Sequence, residues 1–242
     1  MKLKSFVAGI VAFAICVSTV ATTALAAAPV HDDVQSVYNG DGYHVEYSMS
    51  GQNVVERSHF TFSDSSTLEM TRIVTPNGTM TLTGTLSTGE IMRLTGTVDY
   101  NLFLNLYQDQ NRHDSVIVPF GSEITGSQYK HVLVGYSNQC RMTIQDIKNC
   151  KTAAQLAYKI SSAFQNAPAM VASKLAEFLL NASLFTWNAN CDTVILKSAT
   201  YEVLFAWNNA YYTHCYHQTI EEYDHRGKLI STTMDYYQSI GG

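Results

Sequence analysis

The chain has 242 residues, with 15 Lys and Arg against 20 Asp and Glu and a formal net charge of −5. That balance counts against nucleic acid as a partner, because phosphate binding needs a basic face. The length allows one large domain or two small ones with real apolar cores.

Residues 1–26 read as a secretory signal peptide. Lys2 and Lys4 give a positive start, Phe6 to Val17 is an unbroken apolar or small run, and Ala24-Leu25-Ala26 is a small-x-small cleavage site. The run is too short for a retained membrane span. This leader predicts a secreted, extracellular protein whose thiols can oxidise. Removing it leaves 216 residues with a net charge of −7, since it takes Lys2 and Lys4 and no acid with it.

Residues 27–42, including His31-Asp32-Asp33, are polar and predict a flexible lead-in. From Tyr43 to about Leu106 the pattern has a period of two: Tyr43, Val45, Tyr47 and Met49 alternate with His44, Glu46, Ser48 and Ser50. Further strands are expected near 54–62, 66–74, 79–86, 91–98 and 100–106. Pro76-Asn77-Gly78 and Ser87-Thr88-Gly89 supply turns between them. Leu82-Thr83-Gly84-Thr85-Leu86 and Leu94-Thr95-Gly96-Thr97-Val98 are alike and read as adjacent strands of one meander. Residues 27–125 thus form a Thr-rich β-meander region.

Residues 107–129 are loop-like and His131 to Tyr136 is another strand. The period then changes. Thr152-Ala153-Ala154-Gln155 fits a capping box, followed by Leu156, Ala157, Ile160, Ala163 and Phe164 on one helical face. Asn166-Ala167-Pro168 ends this helix and opens a second over roughly 167–185, with Asn166 as a candidate N-cap. The second helix is apolar over most of its girth and must be buried in something. Its Lys174 and Glu177 each cost on the order of 2–3 kcal/mol in a bilayer, so a lone spanning helix is disfavoured. The tail returns to strands: Val194 to Trp207, then Tyr211 to Tyr223 and Lys228 to Tyr237 flanking the hairpin signal Asp224-His225-Arg226-Gly227. The fold class is therefore α+β: antiparallel sheet, from the meander and a C-terminal β-hairpin, with an inserted α-helical hairpin at about 152–185.

Four cysteines survive cleavage, all within 126–242: Cys140, Cys150, Cys191 and Cys215. An even count in a secreted chain reads as two disulfides. The nested pattern, Cys150 with Cys191 and Cys140 with Cys215, competes with local pairing of Cys140 with Cys150 and Cys191 with Cys215.

The chemistry-bearing motifs are sparse. His214-Cys215-Tyr216-His217 invites a metal reading, but on a strand the two histidines point to opposite faces. Glu221 and Glu222 are adjacent and cannot act as a glycosidase pair. No nucleophile elbow, zinc-protease helix or phosphate-cradling loop is present. The expectation is a non-enzymatic protein with no cofactor, metal or catalytic residues.

Charge points to a surface instead. Residues 130–197 carry seven basic groups and three acidic ones between acidic flanks. Lys148, Lys151, Lys159 and Lys174 are the candidates for an anionic surface, either membrane or cell-wall polymer. Leu175, Phe178, Leu179, Phe185 and Trp187 are the candidates for membrane contact. The alternative is a secreted cell-wall or small-ligand binding module that uses the Tyr-rich sheet around Tyr211, Tyr212, Tyr216, Tyr223, Tyr236 and Tyr237.

The layout resembles the geobacillin-26-like secreted large bacteriocins, which share a leader, a Thr-rich meander, an Ala-rich helical segment and a closing Tyr-rich hairpin. The parts that carry the resemblance are residues 1–26, Thr67–Val98, Thr152–Phe185 and Tyr211–Tyr237. It implies an antimicrobial protein acting at the cell envelope through the helical hairpin.

Overall fold

The computed structural model describes residues 33–108, 116–118, 126–182 and 185–240. The leader lies outside them. The first sheet is a plain meander in which each strand pairs antiparallel with the next: β1 (Asp33–Gly40), β2 (Tyr43–Ser50), β3 (Asn53–Thr61), β4 (Thr67–Val74), β5 (Thr79–Leu86) and β6 (Ile91–Thr97). Its alternation is that of a sheet with one dry face. Leu68, Met70, Arg72 and Val74 on β4 are buried, as are Met80, Leu82 and Leu86 on β5, while Glu69, Ile73, Thr79 and Thr81 face outward. Gly78 and Gly89 close the two turns flanking β5 with φ of 81° and 82°.

Two expectations for this region are corrected. Residues 33–40 are a paired strand rather than a flexible lead-in, and Tyr38 is 1% exposed. Residues 100–106 belong to a helix, α1 (Tyr100–Gln108), not to a seventh strand. Leu102, Leu104 and Leu106 alternate like a strand, but Phe103 and Leu106 also share a helical face. That face seats beneath the sheet, where Tyr38 Oη donates to the Leu106 carbonyl.

The second sheet has the order β7 (Val116–Val118), β12 (Leu229–Ile240), β11 (Tyr211–Tyr223), β10 (Thr193–Phe205), β8 (Tyr129–Tyr136), with β9 (Cys140–Thr143) pairing further along β10. Between β9 and β10 come α2 (Ile144–Asn149), α3 (Ala153–Ala163) and α4 (Ala169–Leu180). The fold is α+β with two antiparallel sheets and an inserted helical hairpin, α3–α4. One buried cluster joins the dry face of the first sheet, the hairpin, and Val194, Leu196, Tyr216 and Ile220 of the second.

The hairpin is fastened to the first sheet by side chains from strand ends. Asp64 and Ser66, in the β3–β4 turn, accept from the N–H groups of Ala153 (2.8 Å) and Ala154 (3.2 Å), so the sheet helps cap α3. Thr152 caps the same end through Gln155 N–H, as the capping-box reading expected, but Gln155 Oε1 reaches the N–H of Lys151 instead of Thr152. Asn166 does not cap α4. Its side chain accepts from Asp99 N–H, and α4 opens behind Pro168. The cap comes from β3: Glu56 Oε1 accepts from Ala169 N–H at 2.9 Å. α4 also stops at Leu180, short of the expected end.

Beneath that cap lies a buried ion pair. Arg72 Nη1 is 3.0 Å from Glu56 Oε2 and donates to the Ala167 carbonyl at 2.7 Å. Its guanidinium sits 5.0 Å above the Phe103 ring. Tyr47 Oη donates to Glu56 at 2.8 Å. Burial pushes the Tyr47 phenol well above its usual range, and Glu56, Tyr38 and Tyr216 add to it. Tyr216 comes from the second sheet, so this cluster is where both sheets and the hairpin meet.

Candidate binding site

The helical hairpin does not provide the site that its sequence suggested. Leu175 is 0% exposed, Leu179 3% and Phe178 7%. Phe185 packs on Phe178 with ring centroids 5.1 Å apart, and Trp187 meets Phe185 edge-on at 4.6 Å. Leu175, Phe178 and Leu179 are core, and Phe185 and Trp187 pack against it partly buried, so the five seal the end of α4. The reason is that the hairpin is covered on both sides, whereas its sequence shows only that it must be covered by something.

The lysines do not form a common basic surface either. Lys148 and Lys151 are exposed, Lys159 lies 3.6 Å from Asp146, and Lys174 donates to the Asp41 carbonyl and to Glu177 while resting over the Tyr43 ring.

None of the four cysteines is bonded to another. Cys140 lies opposite Leu196, which lies opposite Ile220, so it shares their core-facing side of the sheet. Cys215 is five positions from Ile220 on β11 and opposite Tyr201, hence on the other face. The nested pairing of Cys140 with Cys215 therefore has no geometric path. Cys150 and Cys191 point their thiols at the carbonyls of Asp146 and Thr193.

What the second sheet does present is a half-buried cluster of rings at one end of β10, with Trp207 exposed on it. Phe205 ends that strand, and a short turn returns the chain at Tyr211. The turn is held by Phe205 N–H to Ala210 O, by Asn209 N–H to Phe205 O, and by the Asn208 side chain accepting from Ala210 N–H. Asn209 has φ of 54°, a conformation that Asn tolerates better than most residues. Ala206 N–H donates to the Gln128 carbonyl, which fixes the start of β8 beside this turn.

The register then brings the rings together. Tyr129 lies opposite Phe205 with centroids 5.8 Å apart. Tyr212 stacks on Tyr129 at 5.2 Å and lies 5.2 Å from Phe205. Trp207 packs on Phe205 at 4.5 Å while remaining 67% exposed. The Tyr212 phenol is raised by burial and by its neighbour Tyr129, so it stays protonated as a hydrogen-bonding group. On the same face of β10, Tyr201 lies 6.3 Å from His131 and 6.4 Å from His217, but Val203 between it and Phe205 is fully buried and Cys215 opposite Tyr201 is 1% exposed, so the accessible rings are those of the cluster alone. Asn208, Asn209 and Gln128 stand exposed at its open end.

His214 lies on the opposite, core-facing side, where its Nδ1 meets Tyr211 Oη at 2.8 Å, so it and His217 do not converge. Among the described residues no group of three or more His, Cys, Asp or Glu is placed to hold a metal ion. A separate open cleft of about 530 Å³ lies between the β11–β12 turn and the segment before β10, lined by Cys191, Asp192, Asp224, His225 and Lys228.

The Tyr-rich tail signalled the second sheet but not this cluster. Tyr216 is core, and Trp207, Phe205 and Tyr129 were not singled out by any motif. Their convergence is a matter of strand register. The chain matches no protein-family model and has no significant similarity to a curated protein.

Proposed function

We propose that this is a secreted, non-enzymatic binding protein that engages saccharide chains of a cell wall through the aromatic cluster on its second sheet. The observation that carries the reading is the cluster of Trp207, Phe205, Tyr129 and Tyr212, with Trp207 67% exposed at its outer end. A pyranose ring offers apolar C–H faces and a rim of hydroxyls. Flat rings accept the former, and the amides of Asn208, Asn209 and Gln128 and the phenols of Tyr129 and Tyr212 can hydrogen-bond the latter. A protein that already buries Leu175, Phe178 and Leu179 would have to unfold its core to present them to lipid, which sets the wall polymer ahead of the membrane as the envelope target.

The test is co-sedimentation of the purified full chain with isolated cell-wall saccules, alongside dye-loaded anionic vesicles. Saturable binding to saccules that Trp207→Ala weakens, with the circular dichroism spectrum unchanged and the vesicles intact, is the expected result. Absence of saturable binding, or vesicle leakage that Trp207→Ala leaves unaltered, overturns the reading.

A further inference from the structure

β6 forms one edge of the first sheet. It pairs with β5 on one side and, among the described residues, with no strand on the other. Val98 N–H donates to Gly78 O and Leu86 N–H donates to Glu90 O, which fixes the phase of the ladder. With Thr79 opposite Thr97 and Leu82 opposite Leu94, the even positions of β6 carry the hydrogen bonds to β5. The backbone N–H and C=O groups of Ile91, Arg93, Thr95 and Thr97 consequently point away from the sheet and have no partner among the described residues.

This edge lacks the usual protections. It has no proline and no bulge, its pairing with β5 is continuous from Ile91 to Thr97, and Arg93 is the one charge on it. Ile91 is 61% exposed, and on the inward side Met92 and Leu94 are only partly buried against the core. Among the described residues, Gln165 covers the inward side of this edge at Gly96, while Met92 and Leu94 are left partly open.

We infer that β6 pairs antiparallel with β6 of a second copy about a two-fold axis at Leu94, joining two six-stranded sheets into one. The register follows from three constraints. Outward groups must meet outward groups, so odd positions face odd positions. An axis at Arg93 would set Arg93 against itself, which like charges oppose. An axis at Thr95 would carry Ile91 past the end of the partner strand, opposite Asp99. The axis at Leu94 sets Arg93 opposite Thr95 and Ile91 opposite Thr97, so every outward backbone group of both copies is paired. It also places Leu94 against Leu94 in the close, non-hydrogen-bonded position and Met92 beside Gly96, which covers the half-exposed inward row. One strand makes a small interface, so the association is concentration-dependent.

Sedimentation equilibrium of the full chain over a concentration series tests this. The wild type is expected to dimerise. Thr95→Arg, at an exposed outward position, faces Arg93 of the other copy twice by symmetry and weakens the dimer on the order of tenfold. Adding Arg93→Glu to Thr95→Arg replaces both repulsions with attractions and restores it. A wild type that stays monomeric at all concentrations overturns the inference. So does a dimer indifferent to Thr95→Arg, or one that the double variant fails to rescue. A heterologous extended peptide that binds while the chain itself remains monomeric also overturns it, by giving the edge a different occupant.

Discussion

Glu56 Oε1 accepts a hydrogen bond from the N–H of Ala169 at 2.9 Å, although 113 positions separate them in sequence. A strand residue thereby caps a helix whose own preceding residue, Pro168, supplies no side-chain acceptor. The other oxygen of the same carboxylate faces Arg72, and Arg72 holds the Ala167 carbonyl. One ion pair thus ties the start of α4 to two neighbouring strands.

Because this pair is fully buried, removing one partner strands the other. Arg72→Met is expected to lower stability by about 3–5 kcal/mol, read from urea unfolding. Combining it with Glu56→Gln, which keeps an acceptor for Ala169, should cost less than the sum of the two single changes. Strict additivity would mean that the two groups do not interact in solution.

The two Leu-Thr-Gly-Thr segments have a packing explanation. A Cβ on Gly84 would overlap the Tyr158 ring of α3, and one on Gly96 would overlap the Gln165 side chain. Gly84→Ala is expected to destabilise by about 1–3 kcal/mol, because close packing leaves the ring little room to retreat. Gly135→Ala meets open space and should change stability by less than about 0.5 kcal/mol. Thermal unfolding of the two variants side by side checks both.

Asp64 gives the hairpin an acid-sensitive fastening. Burial works to raise its carboxyl, but hydrogen bonds from Ser66 and from the Ala153 N–H outweigh it and hold the group below its ordinary value. A carboxyl lowered in the folded state stabilises fully above its unfolded pKa, about 3.9, and loses that contribution as the pH falls through the lower folded value. The stability advantage of wild type over Asp64→Asn should be constant near neutral pH and shrink once the pH drops below about 3.9. Urea midpoints across the acid range measure it. An advantage that persists undiminished into strong acid would refute the assignment.

The thiols should differ sharply in reactivity. Burial pushes Cys140 up to about 12, and Cys140 and Cys215 are almost inaccessible. Cys150 and Cys191 are partly exposed. Alkylation of the reduced native protein, read by peptide mass mapping, should mark Cys150 and Cys191 first and reach Cys140 and Cys215 only on unfolding. Early labelling of Cys140 would place β9 elsewhere.

Strand alternation, the Gly turns and the change of period at Thr152 were legible because each depends on residues within a few positions of one another. Strands β2 to β5, α3 and the closing hairpin follow from such local signals. α1 is ambiguous in the sequence because Leu102, Leu104 and Leu106 satisfy the strand period while Phe103 and Leu106 satisfy the helical one, and only the seat beneath the first sheet selects between them. β1 is hidden in the sequence for a related reason. Its polar composition gives no signal, and its order comes from pairing with β2 and from Tyr38 packing edge-on against Tyr47.

The amphipathic hairpin itself was written in the chain, in the spacing of Leu156, Ile160, Val171 and Leu175. Where that apolar surface would be buried was not. Periodicity reports that a face must leave water, and lipid, a partner and a second sheet satisfy it equally. Only the tertiary structure chose the protein's own two sheets, through acceptors as distant as Glu56 and Asp64. It also moved the exposed aromatic surface from the helices to Trp207 and its neighbours, because cross-strand register, which no single segment encodes, decides which rings meet.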